Sequence, residues 1–270
     1  MKRRLSGFYK KLRFILSERN SFLFTGFYKY FYSPKKGSLA YLLSEYSSNQ
    51  KGDFTVIQIG ANDGITHDPI HKFIKRDNWK GVLLEPQKHV YDEFLSKIYR
   101  KNKGIVTLNA ALGEKDGYLN LYKIGFSNAR WATGLATFDK EVLVKAFESG
   151  HVARNAAKEK IAVPANQEEL IVTEKVPLIS VEKLLSTYHI DKIDLLQIDT
   201  EGFDYQIIKL FKIEKTKPRL IVFESSHLSK DELEECIAHL NNNNYQTITS
   251  GPNTIAMLKP LNGYDYFFNI

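Results

Sequence analysis

From Phe54 onward, short apolar runs alternate with segments of helical periodicity. This is the pattern of parallel strands joined by crossover helices, and it restricts the chain to few architectures. Phe54 to Ile59 (FTVIQI) reads as the first strand, Val82 to Leu84 in GVLLEP as the second and Ile105 to Leu108 as the third. Ile193 to Ile198 (IDLLQI) reads as the fourth and Leu220 to Phe223 (LIVF) as the fifth. After the second run, Val90, Phe94 and Ile98 fall at i, i+4 and i+8 of a helix, and Ile207, Ile208, Leu210 and Phe211 form the apolar face of another. Leu233, Ile237 and Leu240 mark a last helix, stopped by the Asn241 to Asn244 run, and Tyr245 to Ile248 with Thr254 to Leu258 form a closing strand pair. The order is β-α-β throughout, which predicts an α/β doubly wound sheet.

Between the third and fourth strands, Leu112 to Asp191 is too long for a plain crossover. Tyr118 to Tyr122 reads as a strand, Lys140 to Phe147 as a helix and Leu170 to Val176 as another strand, with a polar loop near Asn155 to Glu169. Ligands of open α/β sheets sit beyond the carboxyl ends of the strands, so an insertion there, at about residues 113–180, is expected to be a substrate-binding lid.

Charge divides the chain differently. It carries 38 Lys and Arg against 31 Asp and Glu, but ten of the bases and a single acid, Glu18, fall in residues 1–36. The remainder, 28 against 30, is close to neutral, so nothing in the body argues for a nucleic-acid groove. Residues 1–50 are expected to be a basic, aromatic N-terminal extension and residues 51–262 the main domain. The extension interleaves bases (Lys2, Arg3, Arg4, Lys10, Lys11) with aromatics (Phe8, Tyr9 and eight more as far as Tyr32) before a Ser33-Pro34-Lys35-Lys36-Gly37 break. Charges interrupt any signal-peptide core, and the most apolar run, Phe22 to Tyr32, contains Lys29 and is too short to span a bilayer. Two readings stay open: a peripheral contact with an anionic membrane surface, or an amphipathic extension docked on the body. The single cysteine, Cys236, excludes an internal disulfide and a cysteine-based zinc site, and points to the cytoplasm.

The chemistry-bearing residues gather where strands end. The first strand runs into Gly60-Ala61-Asn62-Asp63-Gly64 before a helix expected from Asp68. Two glycines there permit a tight turn and close approach of a ligand. Their spacing lacks the Gly-x-Gly-x-x-Gly of dinucleotide sites, so a pyrophosphate clamp is disfavoured. The second strand ends in Glu85-Pro86, where an acid can accept both hydroxyls of a ribose. Asn109-Ala110-Ala111-Leu112-Gly113 offers an amide and small side chains to a flat base. The fourth strand ends in Asp199-Thr200-Glu201-Gly202-Phe203-Asp204 and the fifth in Glu224-Ser225-Ser226-His227. Paired carboxylates can hold a divalent cation such as Mg²⁺, accept a proton or bind a hydroxyl, and spacing does not choose among these. His227 suits a general base, while His67, His71 and His89 read as surface or supporting residues.

VIQIGANDG, GVLLEP, NAALGE and IDLLQIDTEGFD, in this order and spacing, resemble the FkbM family of S-adenosylmethionine-dependent methyltransferases. The resemblance covers about Phe54 to Leu258. It implies the class I methyltransferase (Rossmann-like) fold, with a seven-stranded sheet whose last strand is antiparallel. It also implies methyl transfer, usually to a hydroxyl oxygen, on sugars, glycolipid glycans and polyketide-type products; the basic, aromatic extension would suit a lipid-linked glycan. The roles that follow are Gly60, Asn62, Asp63 and Gly64 beside the methionine part of S-adenosyl-L-methionine, and Glu85 with Pro86 at the ribose. Asn109 and Ala110 fall near adenine, and Asp199 faces both the sulfonium and the acceptor. Asp199 with His227 or Glu224 is expected to take the acceptor's proton. A nucleic-acid methyltransferase is disfavoured, because the Asn/Asp-Pro-Pro-aromatic motif of base methylation is missing after the fourth strand, and a non-catalytic relative is the remaining alternative.

Overall fold

The structure, a computed structural model, describes residues 11–268. Lys2, Arg3, Arg4, Phe8, Tyr9 and Lys10 of the extension lie outside the described residues.

Among the described residues ten strands form, in chain order: β1 (Thr55–Ile59), β2 (Lys80–Leu84), β3 (Ile105–Leu108), β4 (Ala111–Gly113), β5 (Gly117–Ile124), β6 (Ile171–Ser180), β7 (Leu195–Ile198), β8 (Leu220–Glu224), β9 (Tyr245–Ser250) and β10 (Asn253–Leu258). Seven make the main sheet in the order β3-β2-β1-β7-β8-β10-β9, parallel except for β10, which runs antiparallel to both its neighbours. The order reverses between β1 and β7, the crevice where such sheets bind ligands. This is the doubly wound sheet that the sequence pattern predicts, with the class I methyltransferase topology that the resemblance implies.

The central strands are buried on both faces, as crossover helices require. Val56, Leu83, Leu195, Leu220 and Val222 turn to one side and pack with Phe73, Trp79 and Phe267. Ile57, Leu84, Leu196, Ile198 and Ile221 turn to the other and pack with Leu184, Ile207, Phe211 and Leu240. The first of these cores draws on both flanks of the expected domain. Leu42, Leu43 and Tyr46, from the helix Leu39–Asn49, are buried in it together with Tyr264, Phe267 and Phe268. The division at residue 50 is therefore one of charge and composition, not of packing.

Three local expectations are corrected. The segment after β2 is helical over 88–99 but contains a π turn, Tyr91–Leu95. The extra residue moves the apolar face from Phe94 to Leu95, so Val90, Leu95 and Ile98 are buried while Phe94 is exposed. The polar loop near Asn155 is instead a helix, His151–Glu159, which starts at a left-handed Gly150 and buries Val152 and Ala156 one turn apart. Small and charged residues masked that short apolar stripe. The helix expected from Asp68 begins at His71, and Asp68 Oδ1 accepts the Ile70 and His71 amides ahead of it.

The insertion folds into a second, three-stranded sheet, β4-β6-β5, with β4 formed by residues read as a base-facing loop. Ile124, Ala132, Leu143 and Val152 give it a core of its own. Two polar contacts tie it to the loop after β2: Gln87 Nε2 donates to the Thr133 carbonyl at 2.9 Å, and the Lys88 amide to Glu174 Oε1 at 2.8 Å.

At the other end of the described chain, residues 11–18 are helical and a second helix follows at Phe22–Tyr30, its Ser21 hydroxyl accepting from the Leu23 amide. Phe24 is buried, and Ser17 Oγ lies 2.8 Å from Nε2 of the buried His71. Lys75 Nζ donates to the Ser17 and Ile98 carbonyls and to the amide oxygens of Asn20 and Asn102. The described part of the extension is thus docked on the body. Among the described residues no helix is long and apolar enough to cross a membrane.

Candidate functional site

Strand register builds the site. Ile59 pairs with Leu84 on one side and Ile198 on the other, and Ile198 pairs with Phe223. The next residue of each strand therefore stands in one row along the carboxyl edge: Glu85, Gly60, Asp199, Glu224. Backbone bonds carry the row past the strands, with the Gly60 amide donating to the Leu84 carbonyl at 3.1 Å and the Asp199 amide to the Ile59 carbonyl at 3.0 Å. Gly60 has φ 80°, and a Cβ there would lie 1.9 Å from the Asp199 carbonyl oxygen, so only glycine lets β1 and β7 end this close together.

A cavity of about 630 Å³ opens above this row, within the usual range for small-molecule sites. Gly60, Asn62, Glu85 and Pro86 line one end, Ala110, Ala111 and Leu112 form an apolar wall, and Asp199, Glu201 and His227 line the other end. Arg130, Thr133 and Gly134 of the lid complete it.

Glu85 is 2% exposed. Its Oε2 accepts the Asn62 amide at 2.8 Å and its Oε1 the Gln87 amide at 2.9 Å. Burial nevertheless pushes its pKa up to about 7, against those two amides. A carboxylate has about four lone-pair sites; these two amides and a side-chain bond from Gln87 leave acceptor capacity for a hydroxyl donor. A buried acid with spare acceptors, a neighbouring apolar wall and a turn without side chains fit a nucleoside bearing a vicinal diol, which S-adenosylmethionine contains. The residues present therefore suit that cofactor.

The opposite end is acid-rich. Asp199 faces the open cavity and is exposed to its solvent, yet burial on its protein side, then the charges of Glu224 and Glu201, raise its pKa to about 8. A hydrogen bond to Glu224 favours the protonated form in the same direction. Burial also raises Glu201, and His227 opposes that shift. His227 Nε2 lies 3.2 Å from Glu201 Oε2 and 3.7 Å from Glu224 Oε1. Glu201 itself adopts a left-handed backbone, φ 54°, next to Gly202 at φ 103°. Such strain in a non-glycine residue is typical of sites where position matters more than local comfort. Asp204 braces the loop: its buried Oδ2 accepts from the Thr200 hydroxyl at 3.0 Å and from the Thr200 and Gly202 amides at 3.3 Å.

Of the residues expected at the cofactor, Gly60, Asn62, Glu85, Pro86, Ala110 and Asp199 line the cavity. Asp63, Gly64 and Asn109 stand behind its wall. Asp63 Oδ1 accepts the Ile65 and Thr66 amides, Gly64 packs against Leu95 and Tyr99, and Asn109 Nδ2 donates to the Glu85 and Pro86 carbonyls. They hold the turns that carry the lining residues. Of the residues expected at the acceptor, Asp199 and His227 line the cavity, and Glu224 stands beside them in the row.

Arg130, Gln87 and Asp204 were not anticipated as site residues. Arg130 lowers the pKa of both Glu85 and Glu201, making it the lid's counter-charge to an acidic edge. A Cβ on Gly134 would stand 2.9 Å from Arg130 Nη1 and 3.8 Å from Glu201 Oε1, so this glycine leaves room for both side chains. The available signal was four acids at one sheet edge facing an insertion with only two arginines, Arg130 and Arg154. Glu201, Glu224 and His227 also bring one donor atom each within 4.8 Å of one another, a set compatible with a divalent cation.

The profile of the methyltransferase FkbM domain matches residues 58–247. Among solved structures, the chain is similar to a methyltransferase FkbM from Methylobacillus flagellatus KT, at 13% identity over 78% of this chain and 47% of that one, with a TM-score of 0.45. It therefore spans about half the length of that relative. It is also similar to a precorrin-6y C5,15-methyltransferase from Geobacter metallireducens GS-15 (12% identity, 84% of this chain and 93% of that one, TM-score 0.36). A third is the N-terminal domain of human METTL16 in complex with SAH (9% identity, 80% and 64%, TM-score 0.37). No curated protein matches the sequence.

Proposed function

The chain belongs to the FkbM family of S-adenosylmethionine-dependent methyltransferases, and from that premise we propose that it methylates a hydroxyl oxygen of a sugar, a glycan or a lipid-linked glycan. The observation that carries this reading is the row Glu85, Gly60, Asp199, Glu224 under one lidded cavity, with diol acceptors at one end and proton acceptors at the other.

Bound S-adenosylmethionine supplies an electrophilic methyl carbon on a sulfonium. The protein's residues do the rest. Glu85 accepts the ribose hydroxyls, and the Gly60 turn admits the methionine portion. Ala110 and the apolar wall take the adenine. The lid, held by the Gln87 and Lys88 contacts, excludes water and aligns the acceptor, the effect that can contribute about 7–11 kcal/mol to such a displacement. Asp199 takes the acceptor's proton. With a pKa near 8, its ionised form is a stronger base than an ordinary carboxylate. The His227–Glu201 pair passes that proton to solvent, and Glu224 shares it with Asp199.

A divalent cation such as Mg²⁺ on Glu201, Glu224 and His227 would stabilise the alkoxide instead. Chelator-insensitive turnover supports the carboxylate base, and loss of turnover restored by Mg²⁺ supports the metal. A cytoplasmic site of action goes with this reading.

The test is calorimetric titration with S-adenosylhomocysteine, followed by assays of its release in the presence of saccharide and glycolipid acceptors. Binding weakened at least tenfold in Glu85→Ala and transfer to an acceptor hydroxyl support the proposal. Undiminished binding in that variant, or methylation of nucleobase nitrogens, overturns it.

A further inference from the structure

The helix Phe22–Tyr30 is apolar around most of its circumference. Its inner face packs on the body: Phe24 lies 5.5 Å from the His71 ring and 4.9 Å from Tyr28, which in turn meets Tyr32 at 5.2 Å. A helix apolar all round is normally buried on all sides. This one is not. Phe22 is 75% exposed, Leu23 72%, Phe27 52% and Tyr30 65%, and Phe31, just past the helix, is 78% exposed. At 3.6 residues per turn these side chains spread over about half of the circumference, opposite Phe24 and Tyr28. Five large apolar side chains in ten residues form a patch, not scattered singletons.

The charges of the segment that bears the patch are nearly all of one sign. Residues 11–36 hold Lys11, Arg13, Arg19, Lys29, Lys35 and Lys36 against Glu18 alone, and Glu18 is paired with Arg100 at 3.2 Å. All of these bases except Arg13 are exposed. The platform beneath is fixed through the Ser17, Asn20, His71 and Lys75 contacts, so the patch is presented by ordered structure. A second copy of an equally basic face would be repelled. An anionic bilayer offers what the patch lacks: an apolar interior for Phe22, Leu23, Phe27 and Phe31, a headgroup layer for Tyr30, and phosphates for the lysines.

We propose that the outward face of Phe22–Tyr30, extended by Phe31 and flanked by Lys29, Lys35 and Lys36, docks this protein in the plane of an anionic membrane surface. The inference is independent of the acceptor assignment, since none of these residues lines the cavity.

The test is co-sedimentation of the full chain with vesicles of phosphatidylcholine alone and of phosphatidylcholine with phosphatidylserine. Binding is expected to the anionic vesicles only and to weaken as salt rises. Combined Phe22→Ser, Phe27→Ser and Phe31→Ser is expected to weaken partitioning at least tenfold. So is combined Lys29→Glu, Lys35→Glu and Lys36→Glu, which leaves the apolar groups in place. Circular dichroism and S-adenosylhomocysteine binding report whether each variant remains folded. Wild-type chain that ignores anionic vesicles, or folded variants that bind them as well as wild type does, overturn the proposal. A dimer in sedimentation velocity that the serine variant dissolves, without lipid binding, assigns the face to a second copy and overturns it as well.

Discussion

At Glu85 a single side chain satisfies two backbone amides while keeping acceptor sites free, and its titration is tied to both stability and binding. Its pKa, about 7 in the folded protein, lies above the ordinary value near 4.5. Between those values the native state holds more protons than the unfolded chain, so this group makes the unliganded protein less stable as pH rises from about 4.5 to 7. Comparing thermal unfolding of wild type and Glu85→Gln across that window isolates the effect, which is expected to be absent in the variant. Cofactor affinity runs the other way, because ribose hydroxyls donate to the ionised form; calorimetry should show binding tightening toward pH 7 and levelling above it. Replacement by alanine should weaken binding roughly 10- to 150-fold, the equivalent of about 1.5–3 kcal/mol for hydrogen bonds to a charged group. Asp199→Asn should lower transfer by about 10² to 10⁴ while leaving S-adenosylhomocysteine affinity within a few-fold; unchanged transfer would remove Asp199 from the role of base. Glu85 and Asp199 were legible in the sequence because each follows an apolar run at a strand end. Arg130 was not, since its partners come from strands 45 and 71 positions away in sequence, and only the folded lid shows what it faces.

At the scale of elements, the strands were readable because burial on both faces writes itself as uninterrupted Val, Ile and Leu. Strand ends are constrained just as tightly. Gly60→Ala forces a Cβ against the Asp199 carbonyl at a positive φ and should cost about 2–4 kcal/mol in urea unfolding. The π turn was not readable, because a helix with one extra residue keeps the composition of an ordinary one. Leu95 replaces Phe94 in the core, and Phe94 is left with edge contacts to Phe14 at 5.9 Å and His89 at 6.4 Å. Deleting Phe94 should convert the turn to regular helix with Val90, Leu95 and Ile98 still in phase. The expected cost is no more than about 1 kcal/mol, comparable to one aromatic pair. A much larger loss of stability would mean that the π turn serves the fold. The helix His151–Glu159 was hidden for a different reason: its buried stripe is two small residues, Val152 and Ala156, amid charge.

At the scale of the molecule, the net charge led to an extension set apart from the body, whereas packing shows one body to which the extension is fastened. The fastening is concentrated at Lys75, whose ammonium is surrounded by four oxygen acceptors from two parts of the chain, residues 17–20 and 98–102. Lys75→Met strands those acceptors and should cost about 2–4 kcal/mol, with limited proteolysis cutting within residues 11–36 before the sheet domain. The same core is closed from the far end. Tyr264, Phe267 and Phe268 pack beside Leu42, Leu43 and Tyr46, and Asn49 Nδ2 donates to the Tyr264 hydroxyl at 3.2 Å. During synthesis the helix Leu39–Asn49 thus leaves the ribosome more than 200 residues ahead of the last of its packing partners; Phe54 and Trp79 reach it early, but the side that Tyr264 covers stays open until the end. A nascent chain arrested before Tyr264 would be the natural client of a chaperone, and its release would coincide with the arrival of those three aromatic rings.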